Sequence, residues 1–167
     1  MPIIKNLTAR RVKMKIVRIM VALVFVVCFA SISMAAQSDA DVEKEIMEFV
    51  QKYRQAFEQK DLDGVMAFYA EDAVLIGTGP GERFEGAEEI RMAHTEYFKS
   101  FDKEESVLTW HKSNRNGDVV WIASMVSINS YFKNNKKEFA LNSTMVLAKQ
   151  EGTWKFVQRH ISNISCE

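Results

Sequence analysis

The three histidines of this chain, His94, His111 and His160, are the side chains best suited to move a proton or hold a metal near neutral pH. They fall on three separate predicted elements, and no pair has the spacing of a metal-ligand motif, so no metal is expected. Spacing does not assemble a Ser-His-Asp arrangement either. The segment GTGPG (77–81) sets Gly79 and Gly81 around Pro80 as a phosphate-cradling loop would, but no Lys-Ser or Lys-Thr follows, and it reads as a plain turn. Cys166, one residue from the end, has nothing beside it to stabilise a thiolate and reads as a solvated thiol. Glu71 and Asp72, at the end of a predicted helix, read as solvated acids. His94 is different. It sits on the apolar side of a predicted helix, where it is either a core histidine with its hydrogen bonds met or a ligand contact.

The elements that must position these groups follow from hydrophobic period. Val42, Ile46, Phe49, Val50, Tyr53 and Phe57 are spaced by three and four, which predicts an amphipathic helix that Ser38 can cap. Leu62, Val65, Met66 and Tyr69 repeat the pattern in a short second helix opened by Asp61, and Ala73 to Ile76 is a short apolar strand. Gly86 opens a third helix, with Glu88 and Glu89 in its first turn and Ile90, Ala93, His94, Tyr97 and Phe98 on one face. After Phe101 the period changes to two. Ser106–Lys112, Val119–Tyr131, Glu138–Lys149 and Thr153–Ile161 read as four long strands, joined by turns at Asn116-Gly117, Asn134-Asn135 and Glu151-Gly152. Such short links force antiparallel neighbours. The fold class predicted is α+β, three helices followed by an antiparallel meander that they cover on one face.

Charge and hydropathy divide the chain at residue 35. Residues 1–35 hold six of the 22 Lys and Arg and no acid, which leaves 16 bases against 22 acids beyond them, a net of −6. An acidic body does not attract a phosphate backbone, so no nucleic-acid partner is expected. The basic start, the apolar run Ile19–Ala30 and the small residues Ser33 and Ala35 form a secretory signal pattern, with cleavage before Ala36 or Gln37. The alternative is an uncleaved anchor, and Met14 is a second possible start. Arg10 and Arg11 hint at a twin-arginine signal, but the strongly apolar core fits the general secretory route. Cys28 would leave with the signal, and a lipoprotein reading fails because Val26 and Val27 are not small. The expectation is a signal peptide over 1–35, one domain over 36–167, and an exported protein, periplasmic or extracellular.

The segment FVQKYRQAFEQKDLDGVMAFYAEDAVL (49–75), the FEGAEEI that follows (84–90) and the ending WKFVQRHIS (154–162) carry a resemblance. They are similar to the nuclear transport factor two-like or SnoaL-like superfamily, whose ketosteroid isomerase-like fold is a cone: a curved antiparallel sheet with three N-terminal helices packed on its concave face. The scaffold hosts isomerases, dehydratases, cyclases and plain binding or oligomerising modules. The resemblance implies that Tyr53 matches an oxyanion-hole tyrosine and that Tyr69 and His94 match its supporting positions. It also implies that the general-base position is Gly77 and that a second carboxyl donor falls near Val146. Glycine takes no proton, so steroid isomerisation is not expected.

The same matching implies a concave lining of Leu108, Trp110, Trp121, Ala123, Met125, Asn142, Thr144, Val157, Arg159 and Ile161. Arg159 would be the one permanent cation among them. The outer face would then carry Phe139, Leu141, Met145, Leu147, Trp154 and Phe156, with His160 and Ser162, which enter the pocket instead if the last strand is shifted by one. The ligand set expected is Tyr53, Tyr69, His94, Trp110, Trp121, Met125, Asn142, Thr144 and Arg159, holding a small, largely apolar molecule, with a carboxylate for Arg159. No cofactor is expected. The alternatives are an isomerase-, dehydratase- or cyclase-type enzyme using Tyr53 and His94, or an oligomerising module with a vestigial pocket. The apolar outer face implies a homodimer.

Overall fold

Val42, Ile46 and Tyr53 are buried along one side of α1 (Asp39–Glu58), as the three-four spacing predicts. The computed structural model describes residues 39–164; the signal segment, Cys28, Ser38 and Cys166 lie outside the described residues. Among the described residues no helix is long and apolar enough to cross a membrane. Asp61 caps α2 (Leu62–Met66) by accepting a hydrogen bond from the Gly64 amide at 2.9 Å. That helix is shorter than predicted. Tyr69 is not its last turn but the first residue of β1 (Tyr69–Ile76), which continues through Glu71 and Asp72. A short strand absent from the sequence reading, β2 (Arg83–Glu85), pairs back onto β1 across the 77–81 turn. Then comes α3 (Gly86–Tyr97), which opens and carries its acids as predicted.

The four long strands are β3 (Lys103–Asn116), β4 (Val119–Phe132), β5 (Asn135–Gln150) and β6 (Thr153–Asn163), each longer than its alternation predicts. Their hairpins use the left-handed backbone that matches strand twist: Lys133 and Asn134 have φ 48° and 67°, and Glu151 and Gly152 have φ 49° and 78°. The sheet order is β2-β1-β6-β5-β4-β3. It is not wholly antiparallel, because β1 and β6 run parallel, with Tyr69 beside Phe156 and Leu75 beside Arg159. The α+β class and the helix-covered curved sheet stand.

Two bulges decide which side chains face the helices. On β3, Leu108 pairs with Val126 and Trp110 with Met125, so Thr109 is an extra residue. On β6, Phe156 pairs with Leu147 and Gln158 with Val146, so Val157 is extra. Each extra residue reverses the in-out alternation downstream. Phe156 and Leu147 are fully buried with Ile46, Val65, Ile90 and Ile122 in the core under the helices.

This overturns much of the expected lining. Trp110, Trp121 and Met125 are 50%, 43% and 39% exposed, and Ala123, Asn142 and Thr144 are exposed beside them on the outer face. The set expected outside is inside: Leu141, Met145, Leu147, Trp154 and Phe156 are buried, and Phe139 lines the cavity with Leu141 and Met145. The physical reason is plain on β5, where the larger apolar set is the one that leaves water. Leu108, Arg159 and Ile161 lie inside as expected, Val157 is the bulge residue, and His160 is exposed opposite Thr144.

Candidate functional site

Between the helices and the inner face of the sheet lies a cavity of about 960 Å3. α1 contributes Val50, Tyr53 and Phe57, α3 contributes His94 and Tyr97, and strands β3 to β6 supply the floor. Its volume lies within the roughly 300–1,000 Å3 of small-molecule sites.

A polar cluster sits in this apolar space. Arg159 Nη1 donates to Tyr53 Oη and, at 3.5 Å, to Tyr69 Oη, while its guanidinium carbon lies 4.8 Å from the centre of the Tyr53 ring. Tyr69 Oη is 3.5 Å from Tyr53 Oη and 3.2 Å from His94 Nε2. The structure therefore brings together four of the expected residues, with His94 one phenol removed from Tyr53. Edge-on rings fix the cluster: Phe156 lies 5.0 Å from Tyr53, and Phe57 lies 5.7 Å from His94.

Burial, and then the charge of Arg159, push the His94 imidazole down to about 3, so it is neutral at ordinary pH. Burial pushes the Tyr53 phenol well up, against the pull of Arg159, so it stays protonated. Burial works against the charge of Arg159, and Tyr53 and Tyr69 outweigh it, moving its pKa up. No Asp or Glu lies within 4 Å of this guanidinium among the described residues, and its Nε has no hydrogen-bond partner. Ser143 Oγ, on the adjacent strand and also in the lining, is likewise without a partner. Ser124 donates to the Ser143 carbonyl at 3.2 Å.

Glu104 is a site residue that the alternation missed. The strand was expected to begin at Ser106; it begins at Lys103 and turns Glu104, Ser106 and Leu108 to the cavity. Glu104 is only 3% exposed and accepts a hydrogen bond from Tyr97 Oη at 3.0 Å. Burial raises its pKa, partly countered by the Tyr97 bond. The same inner-face spacing, extended two residues back from Ser106, would have found it.

Gly77 also lines the cavity. A Cβ added there would stand 2.3 Å from Glu82 Oε2, so the Glu82 carboxylate, held by the Gly79 amide at 2.8 Å, occupies the space a side chain would need. Val146 pairs with Trp121 on the outer face, opposite the side on which its neighbours Met145 and Leu147 are buried. Among the described residues no group of three His, Cys, Asp or Glu could hold a metal ion.

Residues 46–166 match the SnoaL-like domain family. The chain belongs to it. Solved structures agree on the fold of this SnoaL-like domain. An NTF2-like protein of Pseudomonas putida aligns with TM-score 0.68 at 19% identity, covering 76% of this chain and 89% of the other. A Streptomyces avermitilis protein of the NTF2-like family, called a dehydratase, aligns with TM-score 0.67 at 18% identity, covering 77% and 99%. A Novosphingobium aromaticivorans protein called an aromatic ring hydroxylase aligns with TM-score 0.66 at 21% identity, covering 72% and 87%. No curated protein matches the chain. At such identities the likeness is one of fold, and function rests on the residues of the SnoaL-like domain's own cavity.

Proposed function

We propose that this SnoaL-like domain is an exported binding protein for a small, largely apolar molecule that carries a carboxylate. The observation that carries the reading is Arg159: a permanent cation in the lining of an apolar cavity, held by the Tyr53 and Tyr69 hydroxyls, with no acid within 4 Å to pair it among the described residues. A ligand carboxylate would meet that charge in a low-dielectric setting, where pairing is worth most. The neutral His94 favours binding over proton abstraction, since an imidazole with a pKa of about 3 is a weak base at neutral pH.

The test is calorimetric titration of the purified protein with decanoate and with uncharged decanamide. The wild type is expected to prefer the anion about tenfold or more, the scale of a charge-assisted bond, and Arg159→Met to lose the preference. Equal binding of the two probes by the wild type overturns the reading. Export is checked by the N-terminus of protein recovered from the periplasm or medium, expected at Ala36 or Gln37.

The chain of hydrogen bonds from His94 through Tyr69 to Tyr53 favours a second reading, an isomerase-, dehydratase- or cyclase-type enzyme with these groups as donors. It predicts turnover that Tyr53→Phe lowers at unchanged fold, and it fails if neither a hydroxy acid nor an unsaturated acid is converted.

The partner proposed is a second copy. Val107, Trp110, Trp121 and Met125 are exposed together on the outer sheet face, where no helix covers them among the described residues. A two-fold axis through that face would cover both patches at once. Sedimentation of the wild type as a dimer supports this assembly, and a monomer at micromolar concentration rules it out.

A further inference from the structure

Glu104 is a buried carboxyl in the cavity lining, and binding at Arg159 leaves it unused. Its side chain lies almost wholly out of water, yet among the described residues only one side-chain donor reaches it, Tyr97 Oη at 3.0 Å. No Lys, Arg or His lies within 4 Å of it among the described residues. A buried carboxyl group offers about four lone-pair sites and ordinarily satisfies more than one. The neighbouring acid is spoken for. Glu58 Oε1 accepts from the Ser106 amide at 2.9 Å and from Ser106 Oγ at 2.8 Å, with Arg54 Nε at 3.8 Å.

Glu104 thus keeps hydrogen-bonding capacity toward the cavity it lines. The cavity that holds both Glu104 and Arg159 is lined mainly by apolar side chains, among them Phe57, Val126, Ile128, Leu141 and Met145, with Ser124 and Ser143 also in the lining. Arg159 is too distant to form an ion pair with Glu104 but near enough to pull its pKa down, against the larger push of burial. The positive field of Arg159 disfavours a second cation in the same space. The donor that suits Glu104 is therefore an uncharged hydroxyl.

We propose that Glu104 is the second anchor of the cavity and that the ligand class is hydroxylated organic acids, an apolar body with a carboxylate for Arg159 and a hydroxyl for Glu104. This inference rests on the carboxylate-binding reading and narrows it. An alternative arrangement, in which Glu104 only holds Tyr97 in place, gives no preference for a hydroxylated ligand.

The experiment titrates the purified full chain with decanoate and with a set of hydroxydecanoates that differ in hydroxyl position. The quantity read is the ratio of hydroxy-acid to decanoate affinity within each protein, so that a general loss of affinity cancels. The wild type is expected to favour at least one positional isomer about tenfold, the scale of a hydrogen bond to a carboxylate. Glu104→Leu should bring that ratio to within about twofold of unity, and Glu104→Gln, which keeps the shape and one acceptor, should reduce it less. A wild type without preference for any isomer overturns the proposal, and so does a preference that survives in Glu104→Leu. If the wild type does not favour decanoate over decanamide, the Arg159 reading fails and this one with it; if it does, and no hydroxy acid is favoured, only the Glu104 anchor fails.

Discussion

Phe156 and Arg159 stand three residues apart on β6, yet both face the helices, because Val157 between them is the extra residue of a bulge. Phe156 forms the floor under Tyr53, and Arg159 forms the charged wall above it. Strict alternation would hold only one of the two inside. Deleting Val157 should therefore turn Arg159 and Ile161 outward. The expected result is loss of the preference for decanoate over decanamide together with a lower thermal midpoint, read by titration and by circular dichroism.

Arg159 is positioned for binding at the expense of an unpaired charge inside the fold. Arg159→Met removes that charge and fills part of its volume, so stability should stay within about 1 kcal/mol of the wild type or rise. Denaturant unfolding checks this. A loss of several kcal/mol would mean that the guanidinium is a structural strut for Tyr53 and Tyr69 rather than a ligand group.

His94 sets a pH limit on the fold. In the unfolded chain its imidazole gains a proton below about 6.5, whereas in the fold it does so only near 3. Between these values the unfolded state binds the additional proton, so stability is whole above pH 6.5 and falls as the pH drops toward 3. By pH 4 the loss should be on the order of a few kcal/mol. His94→Gln should flatten the unfolding free energy over this window, whatever it costs at pH 7.

Glu104 has the opposite sign. Its raised pKa means that the fold takes up its proton more readily than the unfolded chain, so its contribution is best at low pH and is lost as the pH rises through the folded value. The groups that bear on it are Tyr97 from α3, Glu58 and Lys60 from the end of α1 and its following turn, and Arg159 from β6. Glu104→Gln should thus be more stable than the wild type at neutral pH, with the gain shrinking below the ordinary carboxylate range. A gain independent of pH would contradict the burial of a titrating carboxyl.

The faces of the sheet can be told apart by two substitutions of the same kind. Leu141 is buried and faces the cavity, so Leu141→Glu should destabilise the fold by several kcal/mol. Trp121 is 43% exposed on the outer face, so Trp121→Glu should leave the thermal midpoint of the subunit nearly unchanged and abolish dimerisation. Sedimentation velocity and thermal unfolding of both proteins separate assembly from folding.

Local period alone determined that a helix runs through Val42 to Phe57, that another opens at Gly86, and that four long strands follow, though not their full lengths, because the three-four and alternating patterns are set by neighbours in the chain. The family resemblance grouped Tyr53 with Tyr69 and His94 and put Arg159 only on the concave lining; that Arg159 donates to both phenols came from the structure. Alternation says that residues 121, 123 and 125 share a face; it does not say which face. That was decided by packing: the helices cover the side where Ile122, Leu147 and Phe156 lose the most apolar surface, and Trp110, Trp121, Met125, Asn142 and Thr144 were left on the other. The bulges at Thr109 and Val157 carry no mark in the pattern, because an extra residue is defined by the partner strand, whose nearest paired residues lie 18 and 12 positions away along the chain (Leu108 against Val126, Gln158 against Val146). Glu104 shares the inner face with Ser106 and Leu108 by simple alternation, but that β3 reaches back far enough to hold it was decided by pairing with Ser130 on β4, which only the tertiary structure supplies.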